Sequence, residues 1–139
     1  MRIIVILIVF LFSNVVSSQE IGFINNGKHT LKLLKLNDKY ALTYSDINST
    51  ESKVVENTFH FAFKESIYSI LMDGFKNKKS HQIILKTGND TIIKFQYNII
   101  DGERLVKIMQ NNLLLNTFGS SSFFKKDEIE KLFGNSFKG

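Results

Sequence analysis

The chain has 139 residues, a formal net charge of +5 and no cysteine, proline or tryptophan. That length allows one compact domain, or two very small repeats sharing a core. Without cysteine there is no disulfide, no thiolate metal site and no cysteine nucleophile. Hydrophobic residues make up 43% and charged residues 22%, which is globular rather than disordered composition. The positive excess favours acidic partners or anionic surfaces, but no long basic run concentrates it.

The chain opens with MRIIVILIVFLFSNVVSSQE. One positive charge, Arg2, precedes an unbroken apolar run from Ile3 to Phe12. Polar Ser13 and Asn14 follow, and Val16 and Ser18 stand at the −3 and −1 positions before Gln19. This is the grammar of a secretory signal peptide. The apolar run is far short of the roughly 20 residues that a spanning helix needs. The expectation is export with cleavage near Ser18/Gln19, to the periplasm or the medium, and no membrane span in the mature chain.

Residues 20–63 alternate and turn often. EIGFI reads as a strand closed by Asn25-Asn26-Gly27, a hairpin signal because these residues tolerate positive φ. HTLKLLKL and KYALTYSD follow, the latter with Tyr40, Leu42 and Tyr44 on one face. After the polar loop INSTES, NTFHFAFK sets Phe59, Phe61 and Phe63 on one face at period two. Ile67, Ile70, Leu71 and Phe75 then fall at helical spacing, predicting a helix from Glu65 to Phe75 with Tyr68 and Met72 at its flanks.

The second half repeats the plan. HQIILKT leads through Gly88-Asn89-Asp90 to TIIKFQYNII, where Ile93, Phe95, Tyr97 and Ile99 share a face. Asp101-Gly102 marks a tight hairpin. ERLVKIMQ returns, Asn111-Asn112 predicts another turn, and LLLNTF a fourth strand. A flexible Gly119-Ser-Ser-Ser loop precedes a closing helix with Asp127 as N-cap, Glu130 three residues on, and Gly134 at the C-terminal end. FKESIYSILMDGFKNKK and FFKKDEIEKLFGNSFKG thus end two similar units.

The fold expectation is α+β: two tandem ββββα units, residues 19–79 and 80–139, each an antiparallel meander with one helix, sharing a core. This element order resembles PUR-repeat and whirly-type nucleic-acid-binding domains, which pair ββββα units; the resemblance is one of order, and no binding residue carries over from it. The leader ending in SSQE, with Ile/Lys/Asn-rich usage behind it, resembles those of small exported proteins of Bacteroidota-type bacteria. A rival parse starts at the internal helix: helix then four strands resembles a cystatin-like grip with an added N-terminal sheet.

Catalytic and metal chemistry find little footing. His29, His60 and His81 are too far apart for a local zinc frame. Carboxylates sit at turns (Asp38, Asp90, Asp101) and helix starts (Glu65, Asp127, Glu128), where turn and cap chemistry accounts for them. Asp73 is expected to be exposed. Asn48-Ser-Thr and Asn89-Asp-Thr match the glycosylation acceptor pattern. No cofactor, metal or catalytic residue is assigned. The candidate binding face is Lys94, Gln96 and Asn98 on one strand, Lys107 on its neighbour, and His60. The leading expectation is an exported, non-catalytic protein that binds a protein partner, in an inhibitor- or immunity-like role. A polyanion or nucleic-acid binder of PUR-like type is the alternative, disfavoured by export, and a small-molecule carrier on a cystatin-like grip is the third.

Overall fold

The computed structural model describes residues 18–27, 29–50, 52–77, 79–87 and 90–134. The signal peptide expected at residues 1–18 therefore lies, apart from Ser18, outside the described residues. Turn chemistry sets the architecture. Asp101 and Gly102 both adopt positive φ, 53° and 80°, the geometry of a type I′ hairpin. They close strands β6 (Thr91–Ile100) and β7 (Glu103–Asn112) in register from Ile100↔Glu103 to Thr91↔Asn112. With β5 (His81–Thr87) and β8 (Thr117–Ser120) these form the second sheet, order β5-β6-β7-β8, and the short β9 (Phe124–Lys125) also pairs with β7. The first sheet is the meander β1 (Gln19–Asn26), β2 (His29–Lys35), β3 (Tyr40–Ser45), β4 (Glu56–Phe61). Helix α1 (Lys64–Lys76) follows the first sheet and α2 (Lys126–Leu132) the second.

The protein is thus α+β, with the ββββα order written twice. In space the helices are exchanged. α2 lies mainly on β1 and β2 while also touching β7 and β9 of its own sheet, and α1 lies on β6 and β7. Two glycines permit the close approach. A side-chain carbon at Gly22, beside a register shift in β1, would overlap the Leu132 carbonyl of α2. One at Gly74 in α1 would overlap the Tyr97 ring of β6. The Tyr97 hydroxyl donates to the Leu71 carbonyl at 2.7 Å, Phe75 meets the same ring edge-on at 5.2 Å, and Arg104 Nη1 donates to the Phe75 carbonyl. The helices are joined where Lys64 Nζ donates to the Phe133 carbonyl at 3.1 Å and Tyr68 packs on Phe133.

Inward rows from both sheets, including Leu31, Leu33, Leu42, Tyr44, Phe59, Ile93, Phe95, Tyr97, Val106 and Ile108, form one buried cluster with Ile67, Leu71, Phe75, Ile129 and Leu132. The rival parse captured one part of this: α1 does seat on the sheet that follows it, at β6 and β7. The first sheet is no appendage, however, because it is the seat of α2.

Several local expectations give way. Phe63 is 73% exposed, because β4 ends at Phe61 and Phe63 has become the N-cap of α1, turned out of the strand to start the helix. Ile99 is exposed near the hairpin tip, while Phe95 and Tyr97 of the same row are fully buried. Asn111 and Asn112 are strand residues opposite Ile92 and Thr91. The turn comes later: Asn112 Oδ1 accepts from the Leu115 amide at 2.9 Å, and Asn116 supplies the positive φ. Leu113, Leu114 and Leu115 are therefore an exposed turn rather than strand. Gly119, Ser120 and Ser121 are buried, not a loose loop, and Ser121 Oγ accepts from the Ile108 amide at 2.9 Å. In α2 the N-cap is Lys125, whose amide donates to Glu128 Oε1 at 2.8 Å. The helix starts directly from β9, so Asp127 falls inside its first turn.

Candidate polyanion interface on the second sheet

Strand alternation and register decide which side chains share a face. Buried Ile93, Phe95 and Tyr97 point to the core, so Ile92, Lys94, Gln96 and Asn98 point outward. Cross-strand pairs extend that outer face. Gln82, Gln96 and Lys107 form one row, Ile84, Lys94 and Met109 the next, and Lys86, Ile92, Asn111 and Phe118 a third. Lys125 on β9 joins them opposite Leu105, itself opposite Asn98.

In this register Lys86, Lys94, Lys107 and Lys125 form a diagonal. Each step crosses one strand and advances two residues, a spacing of roughly 8 Å by strand geometry. Lys107 Nζ stands 5.2 Å from the centre of the Phe123 ring, and Gln96 Nε2 donates to Asn98 Oδ1 at 2.7 Å. Ile84, opposite Lys94, is exposed beside the diagonal, and Phe118 is exposed at the far edge of the sheet, three strands from Lys86 in the same row. Glu103, opposite Ile100 at the hairpin end, is the carboxylate on this face. The arrangement is a line of cations with the amide side chains of Gln96 and Asn98 beside it and one ring, Phe123, against Lys107. It can neutralise phosphates or other anions while offering surfaces for flat rings.

Four of the five residues expected at a binding face are brought together here: Lys94, Gln96, Asn98 and Lys107. His60 is not among them. It points from β4, opposite Ala41, on the outer side of the first sheet. There it lines a cleft of about 280 Å³ where the sheets meet, with Thr58, Thr87, Thr91, Gln110 and Asn112. Lys86, Lys125, Phe118 and Phe123 escaped the sequence reading. Lys86 was legible as alternation in HQIILKT. Lys125 was not, since a two-residue strand leaves no period to detect.

Asp46 was also overlooked. It is buried, and its Oδ2 accepts from the Ser120 amide and from Asn57 Nδ2, both at 3.2 Å, tying the first sheet to β8. Tyr44 nearby donates to Gln110 Oε1 at 3.0 Å. Burial, then the Asp46 charge, pushes its phenol well above the ordinary tyrosine range. Burial, then Asp73, does the same to Tyr97. Asp73 itself is exposed, 3.5 Å from Lys76. His29, His60 and His81 stand on three different strands; His81 stacks on Tyr97 at 4.7 Å. Among the described residues, no group of three His, Cys, Asp or Glu side chains could hold a metal ion. No helix among them is long and apolar enough to cross a membrane.

No family model matches the chain, and neither does any curated protein. Among solved structures it is similar to the crystal structure of WHY3 from Arabidopsis thaliana, with 16% identity and a TM-score of 0.46, over 88% of this chain and 90% of that one.

Proposed function

We propose that the protein is a non-catalytic binding module that holds an extended polyanion along the outer face of its second sheet, with single-stranded nucleic acid as the ligand class. The observation that carries this is the lysine diagonal Lys86, Lys94, Lys107, Lys125, with the Phe123 ring against Lys107. Phosphates answer the cations, and bases can stack on exposed rings or bond to Gln82, Gln96 and Asn98. A polyanion without rings would use the lysines alone.

Fluorescence anisotropy with a labelled single-stranded oligothymidylate tests it. The logarithm of affinity should fall linearly with the logarithm of salt, with a slope of about −3 if four phosphates are neutralised at roughly 0.7 each. Binding should be tighter than to a sulfated polysaccharide of equal charge density. Absence of binding at low salt, or binding indifferent to salt, overturns the reading.

A second reading is an exported protein that binds another protein through this face. It is supported by the signal-peptide grammar of residues 1–18. Under it, N-terminal sequencing of the product recovered outside the cytosol begins at Gln19. An acidic protein partner then competes for the same lysines.

A further inference from the structure

Lys86 heads the lysine diagonal, and it also stands at the gap between the sheets, where β4 meets β5. A hollow of about 400 Å³ there is lined by Lys39, His60, Phe61, Ala62, Lys86 and Thr87. It shares His60 and Thr87 with the cleft of about 280 Å³ described above. Register explains the meeting. Tyr40, which opens β3, pairs with Phe61, which closes β4, so Lys39 and His60 share one corner of the first sheet. Lys86 and Thr87 end β5 at the same place. Neither cavity has a carboxylate in its lining, and among the described residues neither Lys39 nor Lys86 lies within ion-pair distance of one. Cations gathered without a counter-charge raise the local potential for an anion. Further in, the gap is barred. Gln110 Nε2 donates to the Thr58 carbonyl at 3.1 Å, and its Oε1 accepts from the Tyr44 hydroxyl at 3.0 Å. This bridge ties β7 to β3 and β4, so a chain cannot thread between the sheets here.

We infer that this hollow binds a phosphate monoester and, resting on the proposed function, that it holds the terminal phosphate of the strand lying on the diagonal. Charge favours a terminal group over an internal linkage. A monoester carries roughly −1.5 to −2 at neutral pH and three strong acceptor oxygens, whereas each internal linkage carries a single charge. The Lys39 and Lys86 ammonium groups donate to it in charge-assisted hydrogen bonds. The His60 ring and the Thr87 hydroxyl are the further donors at the same hollow. The Gln110 bridge admits an end of a strand and refuses its middle. Lys86 belongs to both sites, so filling the hollow fixes where the strand begins. The evenly spaced lysines of the diagonal by themselves would let a strand slide.

Fluorescence anisotropy tests this with oligothymidylates of one length that carry a 5′-phosphate, a 3′-phosphate or neither. One of the phosphorylated strands should bind about fivefold tighter than the bare strand, as two exposed ion pairs allow. Lys39→Ala should remove that gain and leave the bare strand's affinity unchanged, because Lys39 lies off the diagonal. Lys32→Ala removes the same charge elsewhere on the first sheet and should leave the gain whole. Lys39 is exposed beside β3, and circular dichroism checks that its variant folds. Equal binding of all three strands overturns the inference, as does a gain that Lys39→Ala leaves intact. A nuclear magnetic resonance titration with inorganic phosphate alone supplies a readout without any strand. The amides of His60 and Thr87 should shift while those of Lys32 and Thr43 stay in place, and no shift at His60 and Thr87 also overturns the inference. The two sites therefore fail separately. Strand binding with no preference for a phosphorylated end keeps the proposed function and removes the terminal site. Phosphate shifts without strand binding do the opposite.

Discussion

The two sheets share topology, yet their outer faces differ. The first presents Glu20, Phe23, Lys32, Thr43, Glu56, Thr58 and His60, a single lysine between two glutamates, with Thr43 and Thr58 hydrogen-bonded at 2.7 Å. The second presents four lysines on one diagonal with one glutamate at the hairpin end. The inner faces differ far less: both are rows of Leu, Ile, Phe and Tyr, because both cover the same core. Packing constrains a sheet's inner face, while water tolerates almost any polar choice outside. Like inner faces with unlike outer ones follow from one shared core and two separate solvent surfaces.

The inner likeness is broken most severely at the glycines that seat the exchanged helices. Gly22→Ala should cost about 3 kcal/mol in urea unfolding, because a backbone carbonyl occupies the space and cannot rotate away. Gly74→Ala should cost about 2 kcal/mol, since the obstacle is the Tyr97 ring and alanine favours helix by about 1 kcal/mol. If the helices packed on their own sheets, both substitutions would be mild.

Alkali tests both sheets through one buried phenol in each. Tyr44 and Tyr97 have raised pKa values, so the unfolded chain releases these protons first. Their stabilising effect is complete below the unfolded value of about 10 and is lost as pH rises above it. Phenolate absorbance should therefore show these two tyrosines ionising only with unfolding, seen as a step that coincides with loss of circular dichroism.

The outer contrast is sharpened by charge removal. Lys94→Ala with Lys107→Ala should flatten the salt slope of oligothymidylate binding by about 1.4 and leave unfolding nearly unchanged. The smallest effect is expected of Lys32→Ala, on the other sheet, which should shift neither slope nor affinity measurably. An equal loss from Lys32→Ala would mean that net charge, not the diagonal, attracts the ligand.

Much of this was legible in residues. Period-two rows at Tyr40–Tyr44, Phe59–Phe61 and Ile93–Tyr97 announced strands, and the Ile67, Leu71, Phe75 stripe announced α1. Errors gathered at ends. Phe63 continues a period that the chain abandons, Ile99 keeps its place in β6 but lies past the end of the core, and Asn111-Asn112 carries turn residues that pairing with β6 holds in a strand. Propensity acts on neighbours in sequence, whereas termination depends on what lies across the sheet. Of the candidate face, Lys94, Gln96 and Asn98 were readable because one strand spells them. Lys107 came with its hairpin, whereas His60 was grouped with them although its strand, β4, belongs to the other sheet.

By itself, then, the sequence determined two ββββα units, their inward rows and the main hairpin turn, since each rests on contacts between residues a few positions apart. Tertiary structure alone decided that the helices trade sheets, that Asp46 ties β8 to the first sheet, and that four lysines distant in sequence fall into line. Those depend on register and close approach between strands far apart along the chain, which no local period encodes.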